Sequence, residues 1–263
     1  MKIDFYHICA FTDQLFGGNP AGVCPLEKWL PTEDLQRIAL ENCLPETAFF
    51  VPTEEENVFH IRWFTPTIEM DLCGHATLSS AYVLREHIGL KSSEVHFHSK
   101  SGLLKVFDNN GILTLDFPSR PPQKVTLPDV ILKGIGATPK EVWKARDYLL
   151  VFDSEETIQN LTPNRAILDQ INLDPGGIIV TARGEKVDFV SRFFTPQAHI
   201  FEDPATGSAH CTLIPFWSER LVKNALLTHQ ISDRKGVLYC QNKGVRVWIG
   251  GNCVTYSTGT LFV

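Results

Sequence analysis

The sequence has no low-complexity tract and no C-x-x-C pair, and none of its apolar segments approaches the length of a membrane span. The first absence argues against a disordered chain, as do 43% hydrophobic and 21% charged residues, which suit an ordinary globular protein. The second argues against a zinc knuckle. The seven cysteines are odd in number and scattered, which reads as reduced thiols rather than a disulfide framework. The third leaves no transmembrane helix to expect. The start, "MKIDFYHICAF", lacks the basic flank and continuous apolar stretch of a signal peptide, so the expected location is cytoplasmic. A basic stripe is also missing: the formal charge is −6, with Lys and Arg dispersed. Nucleic acid and membrane are therefore not expected partners. A small anion is, because backbone dipoles can hold one locally whatever the net charge.

What is present is a duplication. "FTPTIEMDLCGHATL" begins at Phe64 and "FTPQAHIFEDPATGSAHCTL" at Phe194. The same interval separates "PETAFFV" at Pro45 from "PGGIIVT" at Pro175, and Arg62 from Arg192. "SGLLKV" around Gly102 and "KGVLYC" around Gly236 continue the match. Two tandem copies of one unit follow, and such a repeat decides architecture more strongly than local propensity. The proline-rich "FPSRPPQKVTLP" falls where the first copy ends, so the expected units are 1–117 and 118–263 with a cleft between them.

Each copy reads as strand, helix, strands, helix and hairpin. "TEDLQRIALEN" places Leu35, Ile38, Ala39 and Asn42 at helical spacing behind an expected N-cap, Thr32, and "TPNRAILDQIN" repeats this with Pro163 in the first turn. "ETAFFV", "VFHIRWF", "GIIVT" and "VDFVSRFF" are strand-like in their β-branched and aromatic content. Asn110-Gly111 signals a tight hairpin, with its counterpart in "VLYCQNKGVRVWIG". Thr138-Pro-Lys-Glu141 has the form of a capping box, predicting a short helix there. The helices that follow Gly74 and Gly207 are apolar over most of their circumference, so each is expected at the centre of its own sheet.

Those two helix starts are the expected binding site. An exposed helix N-terminus carries unpaired N–H groups and about half a positive charge, and glycine there lets a ligand reach the backbone. Gly74, His75, Gly207 and Ser208 are the residues concerned. The repeat is broken where directional chemistry needs it: Glu46 in the first copy stands opposite Gly176 in the second. Glu46 opens an apolar strand, a sheltered setting in which a carboxylate can move protons near neutral pH, although a lone glutamate is otherwise most often an exposed loop residue. Asp203 in "EDPATGSAH" is a second acid/base candidate or an orienting group, or else a turn residue before Pro204.

Cys73 and His75 invite a thiol mechanism, yet the second copy has no thiol at the matching place. His96 and His98 share a strand face but lack an obvious third metal ligand. No metal or organic cofactor is called for.

"AFTDQLFGGNPAGV", "PETAFF", "RWFTPTIEMDLCGHATL" and "SRFFTPQAHIFEDPATGSAH" together resemble the phenazine-biosynthesis (PhzF-like) family over essentially the whole chain. The resemblance implies an α+β, diaminopimelate-epimerase-like fold of two pseudo-symmetric halves, each a mixed sheet around a central helix. It further implies a cofactor-independent isomerase, homodimeric, in which the catalytic glutamate is Glu46 and the ligand positions are Gly74, His75, Asp203, Gly207 and Ser208, with Asn19 in the motif's loop. Two departures stand out. The related epimerases use one cysteine from each half, which "EDPATGS" does not supply, and the family's serine before the catalytic glutamate is here Pro45. The expected function is proton transfer on a small carboxylate-bearing metabolite, with Glu46 removing and returning the proton and His75 and Asp203 as further catalytic groups that orient the substrate or share the proton. The alternatives are a metabolite-binding protein without turnover and a hydrolase or epimerase that depends on Cys73.

Overall fold

The structure is a computed structural model and describes residues 1–173 and 176–263. Pro175, the expected partner of Pro45 in the repeat, lies outside the described residues. The chain forms two compact units, Met1–Phe117 with Trp248–Val263, and Pro118–Val247.

The first unit contains β1 (Lys2–Ala10), β2 (Asn19–Pro25), α1 (Thr32–Asn42), β3 (Glu46–Pro52), β4 (Val58–Phe64), β5 (Glu69–Met70), α2 (Gly74–Glu86), β6 (Glu94–Ser99), β7 (Gly102–Asn109) and β8 (Ile112–Pro118). β2 runs antiparallel to β1 and parallel to β3; β3 and β4 are antiparallel, β4 and β6 parallel, β6 and β7 antiparallel. α2 packs on this mixed sheet, with every residue from Gly74 to Ala81 buried. α1 covers a separate cluster, in which Leu35, Ile38 and Ala39 pack with Phe49, Val51 and Phe64. Asn110 and Gly111 both have positive φ, as a two-residue turn between β7 and β8 requires.

The second unit repeats the order: β9 (Gln123–Lys124), α3 (Asp129–Ile135), β10 (Glu141–Lys144), β11 (Tyr148–Val151), α4 (Glu155–Asn160), α5 (Arg165–Leu168), β12 (Ile178–Arg183), β13 (Phe189–Phe194), β14 (Glu202–Asp203), α6 (Gly207–Leu221), β15 (Ala225–Gln230) and β16 (Gly236–Asn242). From β10 to β16 the pairings follow the first unit's sequence of antiparallel and parallel neighbours. The duplication extends to side chains. Arg62 holds Glu69 at 2.8 and 2.9 Å and lies 5.0 Å from the Phe64 ring; Arg192 holds Glu202 at 2.8 Å twice and lies 5.0 Å from the Phe194 ring.

Four sequence expectations are corrected. Glu141 opens strand β10, not a helix, because its carboxylate is held by Arg220 at 2.7 and 2.6 Å and by Trp143 Nε1 at 3.0 Å. Pro31 caps α1, and the Thr32 hydroxyl instead accepts from Arg62 at 3.0 Å. The second outer helix is one short turn, capped by Asn164, whose side chain accepts from Ile167 N. After β17 (Arg246–Gly251), the final strand β18 (Cys253–Phe262) pairs antiparallel with β1, which assigns Trp248–Val263 to the first unit although the expected second unit ran to residue 263. No described helix is long and apolar enough to cross a membrane.

Candidate functional site

The parallel pairing of β2 with β3 sets Ala21 opposite Glu46, at the leading edge of both strands. α2 begins beside them, with Cys73 as its extended N-cap and Gly74 and His75 as its first residues. The result brings four sequence-predicted residues together in the first unit. Glu46 Oε2 lies 3.1 Å from His75 Nε2, and Asn19 Nδ2 lies 3.1 Å from His75 Nδ1. The imidazole is thus held at both nitrogens. His75 is 4% exposed, Asn19 is fully buried, and the Glu46 side chain retains 16% exposure. The carboxylate is therefore the member of the group that a ligand can reach.

Electrostatics tie the group together. Burial opposes a charged imidazole, but the adjacent Glu46 carboxylate, with Cys73 Sγ as a further hydrogen-bond acceptor, outweighs it and holds His75 well above its ordinary range. Cys73 Sγ is 3.6 Å from His75 Nδ1. Burial, reinforced by the negative charge of Glu46, pushes this thiol up, so it is a poor nucleophile at neutral pH. The donor atoms of Glu46, Cys73 and His75 lie within 4.8 Å of one another, the set among the described residues best placed to meet a metal ion. His96 turns instead to Glu94 at 2.5 Å, and the His98 ring faces His60.

In the second unit, Asp203 accepts a 2.5 Å hydrogen bond from the Thr206 hydroxyl, directly before α6. Gln230 reinforces this turn. Its Nε2 donates to Asp203 O at 2.7 Å, and its Oε1 accepts from Thr206 N at 2.8 Å. Gly207 is the first residue of α6, and Ser208 Oγ accepts from Arg146 Nη2 at 3.0 Å. Sequence reasoning missed Thr206, Gln230, Arg146 and Asp147. The signal for the last two was the adjacent charge pair in "KARDYL", just before an apolar strand.

Two similar halves, each with a mixed sheet around one buried helix, are the architecture of the diaminopimelate-epimerase-like class of fold. The phenazine biosynthesis-like protein family model matches residues 8–259, and the chain belongs to that family. It is 45% identical to a protein of Pseudomonas aeruginosa named as an uncharacterized isomerase, with 99% of each chain covered. A crystal structure of a PhzF-family protein from Enterococcus faecalis superposes with a TM-score of 0.94 at 42% identity, covering both chains completely. A hydroxyproline epimerase from Agrobacterium vitis shares the fold, with a TM-score of 0.64 at 10% identity over 99% of this chain and 92% of that one.

Proposed function

We propose that the protein is a cofactor-independent isomerase that shifts a proton on a small carboxylate-bearing metabolite. The observation that carries this reading is the sheltered Glu46–His75 contact at the start of α2, at the point where the repeat is broken. Glu46 removes the proton and returns it to a different position. His75 Nε2, 3.1 Å from Glu46 Oε2, holds the carboxylate in position for the transfer. Backbone N–H groups at Gly74, unpaired as in any first helical turn, stabilise the negative charge that develops on the substrate. Asp203 is proposed to orient the substrate or share the proton, and Gly207 and Ser208 to bind it; these three roles rest on the sequence repeat and on the family. The relatives' names as isomerases support the reaction class.

The test is solvent exchange. Small carboxylic acids are incubated with the protein in heavy water and followed by proton NMR. Loss of a carbon-bound proton signal in at least one of them supports the proposal. A metabolite-binding protein without turnover stabilises a ligand and exchanges nothing.

A further inference from the structure

In the second unit the position matching Glu46 is Gly176, and the space is filled from the neighbouring strand. β11 and β12 pair in parallel, with Tyr148 opposite Ile178. Continuing that register backwards sets Arg146 opposite Gly176, as Ala21 is opposite Glu46 in the first unit. A Cβ at Gly176 would meet Arg146 O at 2.7 Å, so the close approach requires glycine. The first unit brings a carboxylate to the second residue of its central helix, His75; the second unit brings a guanidinium to the second residue of its own, Ser208.

That guanidinium is held in place. Arg146 Nε donates to both oxygens of Asp147 at 3.1 and 3.3 Å, and the Asp147 side chain is completely buried. Asp147 also accepts from Gly177 N at 2.9 Å. Arg146 itself keeps 26% of its side chain exposed. A second cation stands close by. Arg120 donates its backbone N–H to Cys211 O at 2.9 Å, one turn along α6 from Ser208, and its charge acts on both Asp147 and Cys211, as that of Arg146 does. Arg120 Nη1 is buried and meets no hydrogen-bond acceptor among the described residues. Two guanidiniums against one carboxylate leave a net positive charge. A buried guanidinium donor without an acceptor is a costly arrangement that a bound anion would relieve.

We propose that Arg146 and Arg120 form a carboxylate-binding site in the second unit, with Asp147 as the positioning residue that aims Arg146. The fork geometry of arginine suits a planar carboxylate, and the bond is charge-assisted. The site deepens the isomerase reading by assigning the residues that select an anionic substrate, and it rests on that reading for its role in turnover.

Malonate is the probe, with malonamide as its uncharged counterpart, in thermal denaturation at constant ionic strength. Malonate raises the Tm of the wild-type protein in a saturable way and malonamide does not. Arg146→Gln alone strands the buried Asp147 carboxylate, so the variant to use is Arg146→Gln with Asp147→Asn. That double variant and Arg120→Gln, both checked for folding by circular dichroism, bind malonate about tenfold or more weakly. Arg146→Lys, which keeps the charge and loses the fork, falls between. Glu46→Gln responds to malonate as the wild type does, so failure of the isomerase reading leaves this result standing. A wild-type response in both arginine-deleted proteins, or no malonate response in the wild type, overturns the proposal.

Discussion

Glu46 Oε2 and His75 Nε2 are 3.1 Å apart, joining the first residue of a strand to the second residue of the helix that its sheet surrounds. Neither group has its counterpart in the other half of the repeat, where Gly176 and Ser208 take the two positions. The pair marks a point at which the two copies of the repeat differ.

Glu46→Gln keeps the size and removes the proposed base. Turnover should fall by roughly 10²–10⁴, the usual worth of a positioned general base, with the fold retained by circular dichroism. Steady-state kinetics and a spectrum on the same preparation check this.

The two buried histidines give stability opposite pH slopes. His75 is raised above 6.5 in the folded protein, so its stabilisation is complete below that pH and is lost as pH rises through the folded value. His210 is lowered to about 4 by burial, against a smaller opposing effect of its hydrogen bond to Thr206 O. Its contribution is present above 6.5 and lost as pH falls toward 4, about 3 kcal/mol in all. Tm against pH should therefore decline on both sides of neutrality. His75→Gln should flatten the alkaline limb and leave the acid limb unchanged.

Cys73→Ser should retain activity, because burial and Glu46 keep the thiol protonated and the second unit offers no partner thiol. Mass spectrometry after brief iodoacetamide treatment should find Cys43, which is exposed, modified before Cys73. Inactivation by Cys73→Ser would favour the thiol mechanism instead.

Arg62 holds Glu69 at about 2, chiefly by direct hydrogen bonding. The stabilisation is present above 4.5 and lost as pH falls toward 2. Arg62→Met leaves Lys100 Nζ, at 2.9 Å, as the remaining charged partner of a largely sheltered carboxylate, and denaturant titration at neutral pH should show a loss of about 1–3 kcal/mol that narrows as the solution is acidified.

The repeat was legible because Arg62 and Arg192, with their acidic partners and following phenylalanines, recur at one interval, and because α2 and α6 are apolar on nearly all sides. Glu46 stood out for the same reason. Arg146 and Asp147 did not, since Ala21 and Gly22 occupy the equivalent strand register in the first copy and carry no charge. The pairing of β18 with β1 has no local signature, since the hydrogen bonds that define it join opposite ends of the chain. The capping-box pattern at Thr138 failed because Arg220, far along the sequence, claims the Glu141 carboxylate that such a cap would use.

The most direct measurement compares ligand binding and solvent-deuterium uptake in wild type and Glu46→Gln, using one carboxylate that the wild-type protein labels. The account requires the variant to bind that compound with similar affinity and to leave its carbon-bound proton in place. Labelling at the wild-type rate by Glu46→Gln would contradict it.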